Sequence, residues 1–241
     1  MAADKDKQIE VLKKGNLEVK GQFLFGSNYS FLVSMEFEGT QVEAVYKPMK
    51  GELPLWDFPS DTLADREVAA YIISEALAWD LVPPTVIRRN AQFGKGSLQV
   101  FIAHNPEENY FTFDKKIHEN LRPTALFDLI INNADRKGSH ILQEKKGGIK
   151  LIDHGLCFHI DPKLRTVIWD FGGQSVPQLL LDQIEQLRQN IEEQNETYTR
   201  LQKHLSKAEI TAITRRIQVI MDNPVFPSPD LNRRPFPWPL V

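Results

Sequence analysis

Residues 132–156, NNADRKGSHILQEKKGGIKLIDHGL, constrain the fold more than any other part of this 241-residue chain. Two short apolar runs, HILQ (140–143) and IKLI (149–152), flank the turn-forming EKKGG, a pattern that predicts a β-hairpin. Pairing the runs puts residue 139 or 140 opposite Asp153, so the loop that carries Asp135 closes on the same open end. Two carboxylates from separate segments suit a hard cation that prefers oxygen ligands and shares them with phosphates, as Mg²⁺ does. Aspartate beside glycine or arginine is also ordinary turn chemistry. The hairpin alone leaves both readings open.

Ahead of it the periodicity is that of strands. Phe31, Val33, Met35 and Phe37 alternate on one face, EGT turns the chain, and QVEAVYK returns to Lys47-Pro48, where proline ends the ladder. After a loop over 49–62, with Asp61 or Thr62 as cap, Val68, Tyr71, Ile72, Ala76 and Trp79 recur at helical spacing until Pro83-Pro84. TVIRR and SLQVFI read as two more strands about Gly94-Lys95-Gly96. Beyond Asn105 the character turns helical: a polar, aromatic connection (105–120), then PTALFDLIINN with a helix-starting proline. Residues 176–222 hold two or three helices rich in Gln, Glu and Leu. The expected organisation is therefore a polar segment (1–19), a β-rich lobe with one main helix (20–104), a helical lobe carrying the hairpin (105–222), and a proline-rich tail (223–241), extended along the surface or free.

Composition narrows the partners. A net charge of −3 gives no basic field, so no nucleic-acid partner is expected. The longest apolar stretches, ALFDLII and VAAYIISEALAW, are broken by Asp or Glu and fall short of the roughly 20 residues that span a bilayer. Cys157 is the single cysteine, so no internal disulfide forms, and MAADKDKQIEVLKK lacks the apolar core of a secretory signal. A cytoplasmic location is expected.

Lys47 closes a strand, Glu67 lies 20 residues on at the edge of the next helix's apolar face, SLQVFIA (97–103) joins the two halves, and Asp135 and Asp153 follow 18 residues apart. This order and spacing are those by which protein kinases fix a phosphate-binding lysine, hold a nucleotide at a hinge and align two aspartates. The chain has no H-R-D, no A-P-E, and no G-x-G-x-x-G in its first hairpin. Instead NADRKGSH resembles the DRxxxN catalytic loop of the phosphatidylinositol 3- and 4-kinases, LIDHGL resembles their metal-binding IDxG segment, and AVYKP fits their lysine strand. The resemblance extends over residues 20–160 and is to a bacterial phosphatidylinositol 3/4-kinase-like branch with NNADRKG-[GS]-H and DHGL motifs.

That resemblance implies an α+β, two-lobed protein-kinase-like fold with a β-rich N-lobe and a compact helical C-lobe. It also implies an ATP-dependent phosphotransferase that moves the γ-phosphoryl group to a hydroxyl of an acceptor: a protein, a small metabolite or a lipid headgroup. ATP and Mg²⁺ (or Mn²⁺) would be its cofactors. Carried over, Lys47 would bind the α/β-phosphates and Glu67 would orient it. Asp135 would accept or orient the acceptor's proton, and Arg136 would stabilise charge near the transferred group. Asp153 would hold Mg²⁺ against the β/γ-phosphates. Ser27 and Asn28 would cover the phosphates, and Phe101, Ile102 and Ala103 would present backbone groups to adenine.

One position departs from the pattern. Five residues after Asp135 the kinases place an asparagine on the second metal; here stands His140, a better ligand for Mn²⁺ or Zn²⁺ than for Mg²⁺. Ser139 and Asn133 are alternative ligands nearby. Two other readings of the same fold stay open: a nucleotide-binding pseudokinase or scaffold, and transfer of AMP in place of the γ-phosphoryl group. His140, His154, Cys157 and His159 surround the hairpin, but H-x-x-C-x-H matches no common closed zinc site. The literal D-F-G at Asp170 lies 35 residues beyond Asp135 and reads as a loop.

Overall fold

The structure, a computed structural model, describes residues 2–23, 29–145 and 147–241. The chain opens with α1 (Ala2–Lys14), and β1 (Asn16–Phe23), β2 (Ser30–Phe37) and β3 (Thr40–Pro48) follow. Next come α2 (Leu63–Ala76), β4 (Thr85–Ala91) and β5 (Gly94–Val100). All five strands pair antiparallel in the order β1-β2-β3-β5-β4. Strand pleating sends alternate side chains to opposite faces. One face buries Val33, Met35, Ala44, Tyr46, Leu98 and Val100 against Val11 and Leu12 of α1. Lys47, one residue from Tyr46, therefore points to the other face, where α2 lies.

The polar segment expected over 1–19, weakly helical over 7–20, is thus a full helix followed by the first strand of the sheet. So few apolar residues suffice because α1 uses only a narrow stripe and is fastened otherwise. Arg88 donates to the carbonyls of Leu12, Lys13 and Gly15, which satisfies acceptors that a helix end leaves open. Gly15 is forced by close approach, since a Cβ there would sit 2.6 Å from the Val11 carbonyl oxygen.

The second half holds α3 (Lys115–Glu119), α4 (Arg122–Ile131), the hairpin of β6 (Ile141–Gln143) and β7 (Ile149–Leu151), then α5 (Gln178–Glu192), α6 (Glu196–Leu201) and α7 (Lys207–Asp222). Its core joins Leu126, Phe127, Ile130 and Ile131 of α4 to Ile184, Leu187, Ile213 and Ile217 of α5 and α7. Helix α2 belongs to this core as well, through Val68, Ala69, Ile72 and Ile73. Polar bolts hold it there: Arg66 donates to the Cys157 carbonyl at 2.6 Å and to Glu209 at 2.5 Å, and His204 meets Asp65 at 2.8 Å. The helix that carries Glu67 is therefore fixed to the helical lobe. No described helix is long and apolar enough to cross a membrane.

The tail has no helix or strand of its own and packs along the surface. Phe226 is buried against Phe171 and bonds through its backbone to Gly173 and Gln174, while the Pro235 and Leu240 carbonyls accept from Thr166 and Gly138.

Candidate active site

The hairpin pairs Ile141 with Leu151 and Gln143 with Ile149, and Ile152 donates from its backbone to the His140 carbonyl. His140 Nε2 consequently lies 3.3 Å from Asp153 Oδ2. Asp153 follows β7 with φ +61°, left-handed backbone that aspartate tolerates better than most residues. Its other oxygen, Oδ1, is 3.0 Å from Lys47 Nζ, and the same ammonium is 2.5 Å from Glu67 Oε1. Glu67 Oε2 accepts the backbone N–H of His154 at 3.0 Å. Strand β3, helix α2 and the segment after β7 thus meet at one lysine.

The charges explain the titration of the group. Burial alone would lower Lys47, but Asp153 and Glu67 hold its ammonium above its ordinary range. Burial would raise Glu67; Lys47 and His154 bring it down to about 2 instead. Lys47 likewise holds Asp153 well below the usual carboxylate range against the opposing effect of burial. Burial drops His140 to about 4, so its ring is neutral near pH 7. Asp135 moves the other way: burial raises it, Lys137 opposes that, and the charge of Asp153 adds to the rise. The two aspartates therefore differ in kind. One is a fixed anion and the other a better proton acceptor than an ordinary carboxylate.

Arg136 occupies a different place from the one the sequence implied. Its side chain is fully buried. Its Nε and Nη2 grip Asp128, and Nη1 donates to the Ile152 carbonyl at 2.8 Å and less directly to that of His140. Nη2 also meets His154 Nε2 at 2.9 Å. A guanidinium so engaged in the interior cannot reach a transferring phosphoryl group, and the charge-stabilising role is corrected to a structural one. Because His154 Nε2 accepts from Arg136, its Nδ1 carries the proton and faces Glu67 Oε2 at 3.7 Å. Asn133, considered for a metal, is also buried; its side chain donates to Asp128 and accepts from the Asp135 N–H.

Phe101, Ile102 and Ala103 form the connection that follows β5. The Phe101 N–H goes to the Glu43 carbonyl and the Ile102 carbonyl to His104 Nδ1. Ser27 and Asn28 lie outside the described residues. Cys157 is buried, and among the described residues no group of three or more His, Cys, Asp or Glu side chains is placed to hold a metal. Asp170 serves elsewhere, accepting from Tyr110 at 2.5 Å and meeting His118 at 3.4 Å.

Three residues at the site escaped the sequence reading. Lys137 Nζ lies 3.1 Å from Asp135 Oδ2. Asn132 binds the carbonyls of His159 and Asp161 and the N–H of Lys163, tying that segment to the end of α4. Asp128 is the anchor beneath the loop, and its signal was available: a lone aspartate inside ALFDLII requires a buried partner.

This arrangement of lysine, glutamate and two loop aspartates lies largely within residues 60–221, the span over which the sequence matches the family described as phosphatidylinositol 3- and 4-kinase. The chain belongs to that family. Protein Rv2133c of Mycobacterium tuberculosis (strain ATCC 25618 / H37Rv) is 37% identical over 270 aligned positions, covering 98% of this chain and 96% of that protein. Among solved structures, the Golgi casein kinase with Mn/ADP bound superposes with a TM-score of 0.59 at 13% identity, covering 92% of this chain and 75% of the other. The Helicobacter pylori proinflammatory kinase CtkA gives 0.54 at 11% identity, covering 89% and 94%. These two likenesses show the kinase-like fold alone, and that is the α+β, two-lobed fold the motifs implied. Family membership supports ATP-dependent phosphotransfer as the general class of chemistry.

Proposed function

We propose that this chain is a kinase that transfers the γ-phosphoryl group of ATP to a hydroxyl of its acceptor. The observation that carries this reading is the position of Lys47 between Glu67 and Asp153, with the carboxyl of Asp135 facing the same mouth and made more basic by its surroundings. Catalysis of phosphoryl transfer is mostly positioning and charge stabilisation, and these groups supply both. Lys47 offers a fixed positive charge to phosphate oxygens, and Glu67 holds its position from the rigid α2. Asp135 takes the proton of the acceptor hydroxyl, and Lys137 places a second cation beside the transferred group. The Phe101–Ala103 backbone is the platform for the nucleotide base.

The donor set fits a divalent cation that completes its shell with phosphate oxygens. Asp153 is anionic and half-exposed, and the neutral His140 ring lies at its other oxygen. Asp153 and His140 would hold the ion, which would neutralise phosphate charge when bound. Manganese with ADP in the Golgi casein kinase supports a nucleotide with a divalent cation here, and imidazole favours Mn²⁺ over Mg²⁺.

Product analysis by mass tests the reading. Incubation with ATP and Mn²⁺ or Mg²⁺ is expected to yield ADP, with the γ-phosphoryl group passing to a hydroxyl of the chain itself or, as inorganic phosphate, to water when no other acceptor is added. Asp135→Asn is expected to cut that yield by roughly 10²–10⁴-fold while nucleotide affinity stays near that of the wild type. Release of pyrophosphate would indicate AMP transfer instead, and failure of the wild type to consume ATP would contradict the proposal.

A further inference from the structure

The loop 135–140 is held from below by Arg136, but its outer side is held by the proline-rich tail. The Gly138 N–H donates to the Leu240 carbonyl at 2.7 Å, and the Gly138 carbonyl accepts from Tyr110 at 3.3 Å. Gly138 is packed so closely that a Cβ on it would lie 2.9 Å from the Phe111 ring and 3.5 Å from the Leu240 oxygen. Five residues earlier in the tail, the Pro235 carbonyl accepts from the Thr166 N–H at 3.0 Å. Thr166 is no bystander: Arg165 and Val167, on either side of it, bond to the backbone of Arg136, and its hydroxyl donates to Asp128. The tail therefore grips two points close to Asp135, Gly138 in the loop itself and Thr166 in the segment bridged to Arg136. Pro235 and Pro237 are buried, and Phe236 meets Trp169 edge to face.

We propose that residues 235–241 are a positioning element of the catalytic loop, and that the Leu240 and Pro235 carbonyls set the aim of Asp135 and Lys137 toward the acceptor. Proline suits this use. Its fixed φ and missing N–H leave the segment without regular hydrogen bonds of its own, so its carbonyls are free to accept and less entropy is lost on docking. The proposal rests on the phosphotransfer reading above for its effect on rate, but not for its effect on the loop.

The test is deletion of Leu240-Val241, and separately truncation after Arg234, in the full chain. Amide hydrogen exchange at Gly138 is read alongside the kcat and KM of ATP turnover. Deletion of the last two residues is expected to raise Gly138 exchange and to lower kcat by about tenfold, the effect of a small misplacement, with KM for ATP within about twofold. Truncation after Arg234 is expected to do more. A synthetic peptide of residues 233–241 added to the truncated chain restores kcat in part. If the deletion unfolds the protein, Gly138→Pro on a Phe111→Ala background removes the donor instead of the acceptor, at the first position of a helical turn that favours proline. Unchanged Gly138 exchange, or raised exchange with unchanged kcat, overturns the proposal. A full-length chain that never turns over ATP defeats the phosphotransfer reading instead, and the exchange comparison still decides whether the tail holds the loop.

Discussion

Arg136 and Lys137 are adjacent in sequence and belong to opposite kinds of cluster. Around Arg136 lie Asp128, Asn133, Thr166 and His154, nearly or wholly without exposure and hydrogen-bonded to one another or to backbone. Around Lys137 lie Asp135, Asp153 and Lys47, each at least a fifth exposed in its side chain and each facing the cleft. The inner cluster can afford no change, because a buried charge left alone loses its hydration and gains nothing. Apart from the pair Lys47 makes with buried Glu67, the outer cluster gains little stability from its contacts, since partly solvated pairs are screened, and under the proposed function its geometry serves ligands. The DRK stretch is thus divided between holding the loop and using it.

The sharpest way to break that division is at its centre. Arg136→Ala is expected to destabilise the fold by roughly 3–5 kcal/mol, because it strands the Asp128 carboxylate in the interior. Lys137→Ala is expected to change stability by less than about 1 kcal/mol while slowing transfer. Denaturant unfolding of the two variants compares them directly. If both lose the same stability, the two clusters are one.

Acid sharpens the comparison next. Glu67 is depressed in the folded state to about 2, whereas an unfolded glutamate titrates near the ordinary value. The unfolded chain therefore binds the proton first as pH falls. The stability that Glu67 contributes is fully present above the unfolded value and is lost as pH falls toward 2. Unfolding free energy measured against pH is expected to fall less steeply over that window in Glu67→Gln than in the wild type; identical slopes would mean that the Lys47 pair does not set the titration.

The smallest effect concerns the metal. His140→Asn is expected to raise turnover with Mg²⁺ relative to Mn²⁺ by a few-fold, since amide oxygen suits the harder ion. A constant ratio would remove His140 from the metal and leave it as a brace between the Asp135 carbonyl and Asp153, which it meets at 3.1 and 3.3 Å.

Much of this was legible in the chain. The strands of the sheet, the hairpin register and the spacing of Lys47, Glu67, Asp135 and Asp153 follow from period and position, which a sequence displays. Helix α1 showed only as a weakly helical polar stretch, because it is fastened by Arg88, and strand β1 did not announce itself, because it is a half-exposed edge with few apolar residues. Direction was illegible too: the motif names Arg136 but does not say that it points inward to an aspartate eight residues back. The tail's grip on Gly138 depends on carbonyl groups, which every residue has, so no side-chain pattern marks it.

Under the proposed function, Lys47, Asp153 and the cleft between the lobes form a nucleotide site. Thermal denaturation of wild type and Asp153→Asn with ATP, in Mg²⁺, in Mn²⁺ and without metal, tests it most directly. Ligand at about 100 times its dissociation constant adds roughly 2.7 kcal/mol, several degrees for a chain of this size. A metal-dependent rise in Tm is expected for the wild type, larger with Mn²⁺, that disappears in Asp153→Asn. No rise under any condition, or the same rise in both proteins, would contradict it.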